Sequence, residues 1–246
     1  MTTRALRRVI AVSAVLATIG FQVPFGVLAS TFDYPDILRE PTGVVLDRFL
    51  AGGTPLVATW YVYALVPLLL LPLIFGVHER ARNRHDLTVA TTIVGVAAIL
   101  LQTIGLLRWT FVVPALASLH ADPDATEAVR AATEAAFVAV HQFAGVALGE
   151  HLGQLLTAAW LTMTGIVLGG VGEVPRWLAR SAYAPAALIA LGTVEHLGTV
   201  LPIPVAALSL VTVLGFVLFT VWLVALAVIE LRAEPRGATA PPSAPS

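Results

Sequence analysis

Residues 205–229 read VAALSLVTVLGFVLFTVWLVALAVI, a run without a single charge. A helix that crosses a bilayer needs about 20 mostly apolar residues, and this stretch exceeds that. Five further runs of the same kind lie upstream, at roughly 9–30, 55–77, 87–107, 150–172 and 183–201. The third has an apolar continuation through Leu119. The fourth has a clear end near Gly172 and a start anywhere between Ala135 and His151. Pro202 and Pro204 punctuate the tight turn before the last run, because proline donates no helix hydrogen bond. The expected fold is therefore all-α, an integral membrane bundle of about six transmembrane helices. A single domain covers 1–232, and a Pro/Ala/Ser-rich tail at 233–246 reads as disordered.

Composition agrees. Apolar residues are 58% of the 246 positions and Asp, Glu, Lys and Arg only 12%, about half the charged share of a soluble domain. So few charges cannot coat a soluble surface, and the lipid bilayer is the first partner. The formal net charge of −1 gives no basis for nucleic-acid binding. The chain has no Cys, which excludes disulfides and thiolate chemistry. It has no Lys, which excludes a Schiff base.

The arginines set an orientation. With six spans, Arg4, Arg7, Arg8, Arg80, Arg82, Arg84, Arg176, Arg180, Arg232 and Arg236 share one side, and Arg39, Arg48 and Arg130 take the other. Ten against three follows the positive-inside rule, so both termini are expected in the cytoplasm of a bacterial inner membrane. The first apolar run is longer than the 7–15 residues of a signal-peptide core and reads as a retained span. Short helical segments are expected to cap the extracytoplasmic face. Val44, Val45, Leu46, Phe49 and Leu50 have helical apolar spacing. Asp122 or Asp124 can cap a helix that continues into the fourth span. Trp60, Tyr61, Tyr63 and Trp109 suit an outer aromatic belt, and Trp177 and Tyr183 an inner one. Pro67 and Pro72 should bend the second span.

Three charges remain without a loop: Arg108, Glu150 and Glu195, joined by His151 and His196. An ionisable residue inside a span is a functional-site hypothesis by default. At ~1.5 Å per residue, separate counts along three helices place all five in the outer half. The tetrapeptide Glu-His-Leu-Gly occurs at 150–153 and again at 195–198. Gly145, Gly149 and Gly153 form a small-residue ladder that lets helices approach closely, and His141 stands one step before it. Gly165 and Gly169 form a weaker pair. Neighbours on a helix point about 100° apart, so Glu150 and His151 cannot both face one point. The candidate pocket is Arg108, Glu150, His151, Glu195, His196 and His141.

Several uses fit these residues. They can simply satisfy one another, or bind a small ligand or ion for transport or sensing. No cofactor is predicted, although Zn on the Glu–His pairs and haem between His151 and His196 stay open. Di-iron spacing and His-Glu-x-x-His are absent. Acid–base catalysis is a weaker alternative, as is a scaffold role. A transporter with six helices and no duplicated half calls for a homo-oligomer.

The stretches 32–41 (FDYPDILREP), 107–117 (LRWTFVVPALA), His141-Gln142 and 149–153 (GEHLG) resemble bacterial membrane proteins of the domain-of-unknown-function 4386 family. The resemblance covers roughly 5–230. It implies a multi-pass inner-membrane protein and supplies no catalytic residues.

Overall fold

Backbone polar groups in lipid must be satisfied internally, which leaves helices as the economical choice for these runs. The computed structural model describes residues 3–232, so the tail expectation for 233–246 falls outside the described residues. Helices account for nearly all of them: α1 (Thr3–Phe32), α2 (Thr42–Leu65), α3 (Leu71–Ala81), α4 (Thr88–Phe111), α5 (Val113–His120), α6 (Glu127–Val140), α7 (Gly153–Val171), α8 (Arg176–Ser181), α9 (Tyr183–Gly192) and α10 (Val205–Arg232). Five helical stretches are long and apolar enough to cross a membrane: Arg4–Phe32, Thr42–Ala81, Thr88–His120, Glu127–Val171 and Val205–Arg232. The remaining expected run is helical but short. It is α9 followed by a 3₁₀ turn, Thr193–Thr199. The protein is thus an all-α, multi-pass membrane protein, and apolar side chains such as Val12, Ile19, Ile93, Ile104, Leu214 and Val221 stay exposed on its outer faces.

Local chemistry explains the breaks. Gly53 adopts φ 56°, a conformation disfavoured for residues with a Cβ, and divides α2. The part before it holds Val45, Leu46 and Phe49 against Val113, Ala117 and Phe137, while Val44 and Leu50 of the same expected helix stay exposed. Pro67 opens a 3₁₀ stretch, Val66–Leu70, between α2 and α3, and Pro72 stands at the start of α3. There the Leu73 N–H donates to Ser13 Oγ at 3.2 Å, and the Ser13 hydroxyl donates to the Leu69 carbonyl at 2.5 Å. The hydroxyl of α1 thereby replaces a backbone bond lost at the bend. Thr126, not Asp122 or Asp124, caps α6 by accepting from the Val129 N–H. Asp122 instead accepts from the Asp124 N–H in the preceding turn.

Two apolar clusters fill the bundle. One joins α1, α3, α7, α9 and α10 around Ile10, Leu73, Leu161, Ile189 and Phe219. The other is aromatic, with Phe32, Phe49, Trp60 and Trp109 fully enclosed. Trp60 and Trp109 stack with centroids 4.7 Å apart. These two tryptophans are core residues, which corrects the belt expectation for them. The half-helix before Gly53 folds over the rings and removes them from lipid. Tyr61, Trp177 and Tyr183 do stay exposed.

A second correction concerns charge. Arg80 and Glu230, sorted by sequence into loop and tail, are buried at 6% and 3% exposure. Arg80 Nη1 and Nη2 donate to both Glu230 oxygens at 2.5 and 2.8 Å, and Arg80 Nε lies 3.2 Å from Glu173. Arg7 reaches Glu230 at 3.3 Å, and Arg84 also bonds Glu173. This network ties the start of α1, the end of α3, the α7–α8 connection and the end of α10 at one end of the bundle.

Candidate functional site

In the half of the bundle away from that network, α4 crosses the segment between α6 and α7. The crossing is as tight as backbones allow. A Cβ on Gly105 would sit 2.6 Å from Gly149 Cα and 2.9 Å from the Ala144 carbonyl. One turn further along α4, the Arg108 guanidinium lies flat against Gly145, where any side chain would collide with it. The glycine ladder thus makes room for an arginine as well as for a helix.

The segment His141–Leu152 is π-helical. That changes which residues share a face. On an α-helix at about 100° per residue, His141 and Glu150 would fall on opposite sides. With i→i+5 bonding, at about 4.4 residues per turn, nine residues make about two full turns and both side chains point the same way. Arg108 meets them together. Its Nη2 is 3.5 Å from Glu150 Oε1 and 3.4 Å from His141 Nδ1, while Nη1 donates to the Gly105 carbonyl at 2.5 Å.

From Glu150 the polar string continues into the 3₁₀ turn after α9. Glu150 Oε2 is 3.4 Å from His196 Nε2, which is 3.9 Å from Glu195 Oε1. Glu195 Oε1 also accepts from Thr212 of α10 at 2.8 Å. The Nδ1 atoms of His151 and His196 each lie 3.0 Å from the Thr193 carbonyl. A carbonyl only accepts, so both nitrogens carry hydrogen. His196 Nε2 is then left facing two carboxylates, and hydrogen bonding there requires a proton on that nitrogen or on a carboxyl oxygen.

Arg108, His141, Glu150, Glu195 and His196 all line one cavity of about 590 Å³. His151 does not line it. It turns to Thr193 and meets the His196 ring edge to face, with centroids 5.9 Å apart. This is the division of labour that the angular offset between helical neighbours imposes, here about 80° per residue in the π-helical stretch. The lining also includes the apolar and aromatic side chains Phe21, Phe25, Leu106, Val213, Phe216 and Val217. Tyr34, from the connection after α1, closes one end. Desolvation, and next the Glu150 carboxylate, push its phenol well above the ordinary range, so it stays neutral.

Sequence reading missed several lining groups: Tyr34, Tyr63, Thr212 and the glutamines. A usable signal existed. The chain has four glutamines, Gln22, Gln102, Gln142 and Gln154, each within or beside an apolar run, and all four line the cavity. Gln102 also donates to Thr157 at 2.6 Å, fixing α4 to α7.

The metal and haem alternatives find little support in this geometry. Among the described residues no group of three or more His, Asp or Glu is arranged to hold a metal ion. For haem, His196 Nε2 is turned to carboxylates instead of to His151.

A family model described as "Domain of unknown function (DUF4386)" matches residues 9–227. The chain belongs to the DUF4386 family. Every lining residue of the cavity, from Phe21 to Thr220, lies inside the DUF4386 region. No curated protein and no solved structure matches the chain. The DUF4386 description carries no activity, so the roles of these residues rest on their geometry.

Proposed function

We propose that this DUF4386 protein binds a small ligand in the cavity, in the service of transport or sensing. One observation carries the reading: a connected string of ionisable groups, with Arg108 buried at its head, shares a cavity of about 590 Å³ with apolar and aromatic side chains. Ligand sites commonly have this volume and this mixture of apolar lining with a few placed polar groups. A bundle that needed the charges only to neutralise one another would pack around them and leave no such space.

The arginine asymmetry supports an orientation in the bacterial inner membrane with both termini cytoplasmic. The cavity then occupies the outer half. A reporter fused after Ser246 should be active only in its cytoplasmic form, and an extracytoplasmic signal would overturn this orientation. For binding, the test is native mass spectrometry of protein extracted gently from its host membrane. Wild type should retain a small molecule that Val217→Trp, a bulky change on the cavity wall, releases. Identical spectra from both would refute the binding reading.

A further inference from the structure

We infer that the ligand is an amphiphilic organic cation, an amine or quaternary ammonium head on an apolar body. This inference rests on the binding reading above and names its ligand class.

The positive charge in the cavity is already engaged. Arg108 Nη1 donates to the Gly105 carbonyl and Nη2 faces Glu150 and His141, while Nε has no hydrogen-bond partner among the described residues but is buried over Gly145, out of a ligand's reach. An incoming anion would have to compete with a carboxylate 3.5 Å away. The negative charge is not so engaged. Glu150 is balanced by Arg108, but Glu195 Oε1 has only the Thr212 hydroxyl and the more distant His196, and Oε2 has no partner among the described residues. Two carboxylates, Glu150 and Glu195, share the cavity with one guanidinium, so a monocation can stand in for the proton that the His196 contacts require, whereas an anion adds to the excess of acid groups.

The apolar lining suits the rest of such a molecule. It includes Phe21, Phe25 and Phe216, and aromatic rings both attract cations through their quadrupoles and cover an apolar body. Gln22, Gln142 and Val213 line the cavity and are exposed, so the cavity is accessible from outside the packed core.

The test uses two probes of the same shape and opposite charge, tetraphenylphosphonium and tetraphenylborate, with full-length protein in lipid nanodiscs. Empty nanodiscs give the partitioning baseline. Saturable binding of the phosphonium above that baseline, with none for the borate, is expected. Glu195→Gln should weaken phosphonium binding by at least about tenfold, the scale of a lost charge-assisted contact. Saturable borate binding in its place would overturn the cation assignment and leave the ligand cavity standing. If neither probe binds, and Val217→Trp also leaves the native mass spectrum unchanged, both readings fall. The contrast between the probes on wild type needs no variant, so an unstable Glu195→Gln protein would not spare the proposal.

Discussion

The crossing at Gly105 and Gly149 makes the sharpest claim about stability. In Gly105→Ala the new methyl meets Gly149 Cα at 2.6 Å, the Ala144 carbonyl at 2.9 Å and Gly149 N at 3.2 Å. All three are backbone atoms and cannot rotate away. Carbon–carbon contacts settle at about 3.5–4.0 Å, so the two segments must separate by about 1 Å. Overpacking of this kind costs about 1–3 kcal/mol. Alanine also gains about 0.5–1 kcal/mol over glycine within a helix, which would mask part of the loss. Gly26→Ala supplies the correction. It lies in α1 with nothing within 4 Å of its added Cβ, so it receives the gain without the clash. The difference between the two variants isolates the packing cost. At roughly 2–4 °C per kcal/mol for a chain of this size, Gly105→Ala should melt about 2–12 °C below Gly26→Ala in the same detergent. The same retreat would stretch the Arg108–Glu150 contact from 3.5 Å, so phosphonium binding should weaken too. A Gly105→Ala protein that melts with or above Gly26→Ala would refute the close crossing and the arrangement built on it.

Three other outcomes follow from particular contacts. Glu230→Ala leaves Arg80 buried without its bidentate carboxylate, at a cost of about 3–5 kcal/mol. Pairing Arg80→Met with Glu230→Leu should recover most of this in denaturant melts, and no recovery would show that the network contributes more than its own neutralisation. Ser13→Ala orphans the Leu73 N–H and the Leu69 carbonyl in the second span, costing about 1–3 kcal/mol, while Ser13→Thr keeps the hydroxyl and should lie close to wild type. Tyr34 gives a pH dependence. An unfolded tyrosine ionises near pH 10, whereas the folded protein holds this phenol neutral well beyond that. The unfolded chain then binds fewer protons, so stability falls as pH rises through about 10, and a shallower fall in Tyr34→Phe than in wild type is the expected result. An equal slope in both proteins would remove Tyr34 as its source.

The architecture was legible because it depends on sums. Run lengths and the shortage of charge made the chain a membrane bundle, and five of the six expected runs are long apolar helices. The sixth, 183–201, is divided because α9 gives way to a 3₁₀ turn at Thr193, where the carbonyl is taken by two imidazoles. Arg80 and Glu230 were misplaced for a related reason. Each stands within one turn of a helix end, which by count is interface, and only the pairing of α3 with α10 shows that each end is covered by the other.

The candidate site was legible as an inventory but not as a geometry. Arg108, Glu150, Glu195 and His196 stood out because a charge or imidazole in an apolar run has no cheap explanation, and height along the helices already placed them together. What periodicity could not supply was rotation about the axis. A 3.6-residue period turns His141 away from Glu150, so any helical-wheel argument separates them. The π-helical stretch restores the pair, and with it the junction at Arg108. Such a stretch leaves no mark in hydropathy, because it alters the phase of a helix without changing its composition. It is fixed by what lies across from it: Gly105 with no side chain, Arg108 filling the space over Gly145, and Gln102 against Gly153. The glycines were read as a surface for another helix. Gly145 faces the Arg108 side chain, Gly153 faces the side chain and the backbone N of Gln102, and Gly149 meets backbone alone. The ladder is therefore part of the cavity's construction, since it sets how deeply Arg108 sits and so commits that guanidinium to Glu150 and His141, leaving Glu195 as the carboxylate without an arginine beside it.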